Sequence, residues 1–112
     1  MVAPAAGAIV LVQFPFSDLS KTKLRPAIVL ADAGRDDQVL CQITSKAYGD
    51  PRALPLEQSA FTSGALLLVS YARPGKLFTA NNRLFARQIA TLKPDVFKNV
   101  IEAVVRLLRG VS

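Results

Sequence analysis

The sequence predicts a mainly β domain, a small curled sheet or barrel closed by one C-terminal amphipathic helix. Two observations predict it. Before Pro94 the apolar runs are short, rich in β-branched residues and regularly spaced between Gly, Pro, Asp and Ser. From Pro94 to Arg109 the apolar residues instead recur at helical spacing. At 112 residues the chain reads as a single domain, 1–112, long enough to bury one core.

Ala8–Phe14 is apolar on both faces and reads as a central strand that Pro15 ends, because proline removes a ladder donor. Ser17–Leu24 reads as a polar loop whose Ser17, Asp18 and Ser20 can bond their local backbone. Ala27–Ala31 is the second strand. Ala33–Asp37 is a tight polar connection and Gln38–Thr44 the third strand, so the pair forms a hairpin. Leu54–Glu57 reads as a short edge strand, where Pro55 is tolerated. Ala65–Ser70 reads as another strand buried on both faces, Tyr71–Gly75 as a turn, and Lys76–Thr79 as a short extended piece. Asn81–Arg83 is a turn or a single helical turn, and Arg87–Leu92 the last strand. That gives about five to seven strands.

In the helix, Pro94 suits the first position and Asp95 the positive N-terminal end. Phe97, Val100, Ile101, Val104, Val105 and Leu108 share one face, Lys98, Glu102, Arg106 and Arg109 the other, and Gly110 stops it.

Composition narrows the function. Lys and Arg number 14 against 8 Asp and Glu, a net charge of +6. That excess favours a polyanionic partner, nucleic acid before membrane. Between Gln58 and Pro94 there is no acidic residue, yet Arg73, Lys76, Arg83, Arg87 and Lys93 all lie there. The absence of histidine removes the commonest general acid–base group and the commonest metal ligand. Cys41 is the single cysteine, so no intrachain disulfide forms, and its apolar surroundings read as core. No apolar run approaches the ~18 residues of a membrane span, and the N-terminus lacks the basic start of a secretory signal. A cytoplasmic location without membrane contact is the expectation.

The stretch Phe14–Ala31 concentrates the chemistry. Lys21, Lys23 and Arg25 fall within five positions. Pro26 pushes Arg25 toward extended geometry, which places that cation at the mouth of a strand beside the loop. Arg25 reads either as a phosphate contact or as the ion-pair partner of Asp18. The third strand ends in Thr44-Ser45-Lys46, two hydroxyls and an ammonium together. Thr44 by itself also reads as an ordinary β-branched strand residue. Phe16, Tyr48 and Phe78 read as core aromatics or as base-stacking platforms.

The segment Ala8–Ser20, followed by Leu24-Arg25-Pro26-Ala27-Ile28-Val29-Leu30, resembles the opening of the MazF/PemK family, the toxins of type II toxin–antitoxin pairs. The similarity runs on through Ile43-Thr44-Ser45, Pro55-Leu56, Ala72-Arg73-Pro74 and Lys76-Leu77-Phe78-Thr79 to the closing helix. The resemblance implies an SH3-like β-barrel with a C-terminal helix. It implies a homodimer that cleaves single-stranded RNA sequence-selectively, with no metal or other cofactor, and is inhibited by a cognate antitoxin. It assigns catalysis to Arg25 and Thr44 and, as in some members, to Arg73. The acidic residue that such members carry two places on is Gly75 here. Candidate RNA contacts are Ser17, Lys21, Lys23, Ser45, Lys46 and Lys76.

Two other functions fit the same letters. A CcdB-like gyrase poison shares the implied fold and needs no Arg25–Thr44 chemistry. An RNA-binding homologue weakened in catalysis by Gly75 would hold RNA and leave it whole.

Overall fold

The computed structural model describes residues 4–15, 22–47 and 49–111. Among the described residues seven strands form one antiparallel sheet: β1 (Ala8–Pro15), β2 (Thr22–Gly34), β3 (Asp37–Thr44), β4 (Leu54–Leu56), β5 (Phe61–Gly64), β6 (Ser70–Asn81) and β7 (Phe85–Leu92). Their order across the sheet is β4-β6-β3-β2-β1-β7-β5, which curls into a half-barrel. One helix, α1 (Pro94–Arg109), follows. The mainly β fold with a closing helix is thus as the sequence predicts.

Alternation along the central strands buries both sheet faces. Ile9, Ile28, Leu30, Cys41 and Ile43 point into the main core, which α1 caps with Val100 and Val104. Val10, Val12, Ala27, Val29 and Leu40 form a second, smaller cluster on the opposite face. Such two-sided burial is why these strands read as continuous apolar runs rather than alternating ones. The helix begins at Pro94 and ends at Gly110, whose φ of 73° lets Val111 N–H donate to Arg106 O at 2.9 Å. Leu108, expected on the packed face, is 73% exposed, whereas its neighbour Leu107 is half-buried, so the packed side of the last turn is offset by one residue.

Three local expectations are corrected. Ala65–Ser70 is not a strand: Leu67 is wholly exposed, and Leu68 and Val69 are each 64% exposed. Gly64, at φ 73°, ends β5 so tightly against Ile89 that an added Cβ would sit 2.1 Å from its carbonyl oxygen. The chain then leaves the sheet, and only Leu66 packs back on the core. Tyr71–Gly75 is not a turn but part of the long β6. Its ladder to β3 steps from Ile43–Ala72 to Cys41–Leu77, so Arg73–Lys76 bulge opposite Gln42, and the bulge absorbs the donor Pro74 lacks. Finally, β2 begins at Thr22, so Lys23, Leu24 and Arg25 belong to the strand and not to the preceding loop. Pro26 is tolerated there because the β2–β3 ladder ends one residue later, at Ala27–Gln42.

Candidate nucleic-acid interface

Strand register gathers the predicted catalytic residues. Arg25 pairs with Val12 on β1, and Ala27 with Gln42 on β3. Continuing that register two residues sets Thr44 opposite Arg25, about 5 Å away between backbones. Thr44 in turn pairs with Tyr71 on β6. Side chains alternate along a strand, so Arg73 returns to the face of Tyr71 and Thr44. Arg25, Thr44 and Arg73 therefore share one face of three adjacent strands, with Thr44 in the middle.

Thr44 is fixed by a local turn. Its Oγ1 accepts from Lys46 N–H and donates to Lys46 O, both at 3.1 Å. Ser45 and Lys46 follow it and are exposed. Arg73 is held from another direction: its Nε donates to Asp50 Oδ2 at 2.8 Å. The Arg73 bond, with a second from Arg52 N–H, holds the Asp50 carboxyl below its ordinary value. Nothing in the sequence singles out Asp50, since the partner lies 23 residues away and only the β3–β6 pairing brings the loop to it.

At this end of the sheet a groove of about 590 Å³ opens between the ends of β2 and β3 and the 65–70 segment. Lys23, Arg25, Thr44 and Ser45 border it, as do Leu66, Leu67 and Leu68. Arg87 of β7 borders it too, a residue read from sequence only as part of a basic excess. No acidic residue is among its described neighbours. Arg73, Lys46 and Lys76 lie outside the groove wall, and Lys76 sits exposed on the β6 bulge. Ser17 and Lys21 lie outside the described residues, as do Phe16, Tyr48 and the Asp18 once paired with Arg25 in the alternative reading. Phe78 packs against the smaller core cluster.

Cys41 is buried, its Sγ donating to Arg73 O at 3.3 Å, and burial pushes the thiol up to about 11. Among the described residues no helix is long and apolar enough to cross a membrane.

Residues 5–108 match the family model described as the PemK-like, MazF-like toxin of type II toxin–antitoxin systems. Among curated protein sequences none matches significantly. Solved structures do. A MazE–MazF crystal structure from Deinococcus radiodurans superposes with a TM-score of 0.76, over 100% of this chain and 100% of that one, at 24% identity. The toxin MazF-mt6 of Mycobacterium tuberculosis gives 0.70 over 94% and 98%, at 18% identity. An endoribonuclease in complex with its cognate antitoxin, from Mycobacterial species, gives 0.70 over 100% and 98%, at 15% identity. Identities this low show a shared fold.

Proposed function

The chain belongs to the PemK-like, MazF-like toxins of type II toxin–antitoxin systems, and from that premise we propose that it is an endoribonuclease that cleaves single-stranded RNA sequence-selectively and without a metal ion. The observation that supports this best is the common face of Arg25, Thr44 and Arg73 on neighbouring strands. Structures of similar fold described as endoribonucleases agree with it.

A site without histidine can cleave RNA when the substrate brings its own nucleophile. The ribose 2′-oxygen bonds to the adjacent phosphorus and the bond from phosphorus to the 5′-oxygen breaks. The products are a 2′,3′-cyclic phosphate and a 5′-hydroxyl. The proton lost by the 2′-hydroxyl is balanced by the one the departing 5′-oxygen gains. The protein's task is to hold the three atoms in line and to stabilise charge on the non-bridging oxygens. Arg25 supplies a planar fork of N–H donors matched to phosphate. Thr44 Oγ1, fixed by its turn with Lys46, orients the linkage. Arg73 meets the phosphate from the β6 side. Lys23, Ser45, Lys46 and Lys76 extend the contact along the backbone, with Ser17 and Lys21 completing it from the preceding segment.

The toxin acts as a homodimer and is silenced by an acidic antitoxin that competes with RNA for the same cations. Related toxins have been crystallised with their antitoxins. The decisive experiment incubates the purified protein with mixed-sequence RNA in excess chelator and sequences the new ends. Discrete cuts leaving 5′-hydroxyl ends are expected. Intact RNA would overturn the proposal, and gyrase inhibition alongside it would move the protein to the CcdB-like class.

A further inference from the structure

Arg73 of the three-residue face is held by a carboxylate, and the hold has a particular geometry. Asp50 Oδ2 takes Nε, the inner nitrogen of the guanidinium, at 2.8 Å. The grip is on Nε, which leaves the two terminal amino groups outside this bond, and the Arg73 side chain is 30% exposed while that of Asp50 is only 13% exposed. The carboxylate is thus the more covered partner of the pair.

Asp50 is itself fixed at every polar group. Oδ1 accepts from Arg52 N–H at 2.9 Å, its own N–H donates to Ala47 O at 2.8 Å, and its carbonyl accepts from Ala53 N–H at 3.2 Å. The loop it closes starts at the Lys46 turn, which Thr44 Oγ1 clamps. One residue therefore ties the segment leaving Thr44 to the side chain of Arg73.

We propose that Asp50 is a positioning residue for RNA cleavage: it grips Arg73 by Nε so that the terminal N–H groups face the phosphate lying over Arg25 and Thr44. This rests on the reading of the protein as an RNA-cleaving toxin. An arginine loses many rotamers when ordered, and a reaction that needs in-line geometry gains when that ordering is complete before substrate arrives. The arrangement has an opposing effect, because a carboxylate bonded to Arg73 repels the RNA backbone. Asp50 therefore improves alignment and weakens attraction, and the two effects fall on different kinetic constants.

Asp50→Asn separates them. The amide keeps the shape, and its oxygen can still face Arg52 N–H, but the charged grip on Nε is gone. With the full chain and a short RNA carrying one mapped cut, kcat is expected to fall roughly tenfold while KM stays level or drops about twofold. In an Arg73→Ala background the same change is expected to leave kcat where Arg73→Ala alone put it, since Asp50 acts only through Arg73. Arg73→Lys, which keeps the charge but loses the fork, is expected to fall with Arg73→Ala rather than with the parent.

Unchanged kcat in a cleaving Asp50→Asn protein overturns the inference and leaves the nuclease reading standing. So does a fall in kcat that adds in full to that of Arg73→Ala. Absence of cleavage by the parent chain overturns both. Should Asp50→Asn fold poorly, Asp50→Glu answers the same question: a longer carboxylate shifts Arg73 without removing the charge, and kcat is expected to fall with KM unchanged.

Discussion

Arg25 stands opposite Val12 within the β1–β2 ladder, and continuing the β2–β3 register beyond Ala27–Gln42 sets Thr44 across from it on the third strand. In the proposed site an arginine there would donate to phosphate oxygens, and it cannot act as a base. Its loss should be felt in the transition state, so Arg25→Ala is expected to lower cleavage by ~10²–10³-fold with an unchanged circular dichroism spectrum. A folded variant that cuts at the parent rate would refute the assignment. A second residue-scale expectation concerns Cys41. Burial raises its thiol from 9.0 to about 11. Because the folded value lies above the unfolded one, its share of stability is complete below pH 9 and is lost as pH rises toward 11. The loss is on the order of 2 kcal/mol. Urea unfolding of the parent and of Cys41→Ala at pH 8, 9 and 10 should show the stability gap between them narrowing as pH rises. Lysine and tyrosine titrations are common to both proteins and drop out, so a constant gap would count against the buried thiol. Both residues were legible as types: an Arg before Pro and a Cys within an apolar run. Asp50 was not legible, because its meaning comes entirely from a partner on another strand.

Among the elements, the β2–β3 hairpin carries the site at its open end and its turn at the other. Gly34 pairs with Asp37, and Arg35 and Asp36 between them have φ of 55° and 66°. Positive φ at both central residues makes this the primed turn that suits strand twist, yet neither residue is glycine or asparagine. Side chains with a Cβ pay about 1 kcal/mol or more in that region. Arg35→Asn with Asp36→Gly is therefore expected to raise stability by about 1 kcal/mol, read as a higher melting temperature. Cleavage should not change, because the turn lies roughly 30 Å along the strand from Arg25. A lowered melting temperature would mean that those side chains hold something the backbone does not. The hairpin was visible in sequence because its turn is short and polar between two β-branched runs. The helix was visible down to both ends, since proline, glycine and a 3.6-residue period mark it without help from the rest of the fold. The 65–70 segment was not. An apolar run of that length has no period of its own, and only the close approach of Gly64 to Ile89 reveals that the chain turns away from the sheet. The bulge at Arg73–Lys76 was hidden likewise, since Arg-Pro-Gly has the composition of a turn and only the β3 register shows paired residues, Ala72 and Leu77, on either side of it.

For the molecule as a whole, a charge of +6 and a groove bordered by Lys23, Arg25 and Arg87 make a clear distinction testable. Cations that neutralise phosphates release counterions, so their share of binding falls with salt, whereas apolar contacts are nearly indifferent to it. The groove has both kinds of border. Arg87 comes to it from β7, where it pairs with Leu11, the β1 partner of Pro26, and Leu67 faces it fully exposed. A single-stranded oligonucleotide with 2′-deoxy sugars binds without being cut, so affinity can be followed from low to high salt. Arg87→Ala should weaken it at low salt and make the slope of log affinity against log salt shallower by about 1. Leu67→Ser should leave that slope as it is. Under the proposed function, an antitoxin tail with acidic and apolar residues would meet both borders, so the Leu67 change should weaken that complex even where salt has already removed its electrostatic share. If Arg87→Ala left the salt slope untouched, the nucleic-acid path would not extend to β7. Recognition would then be confined to the three-strand face around Thr44.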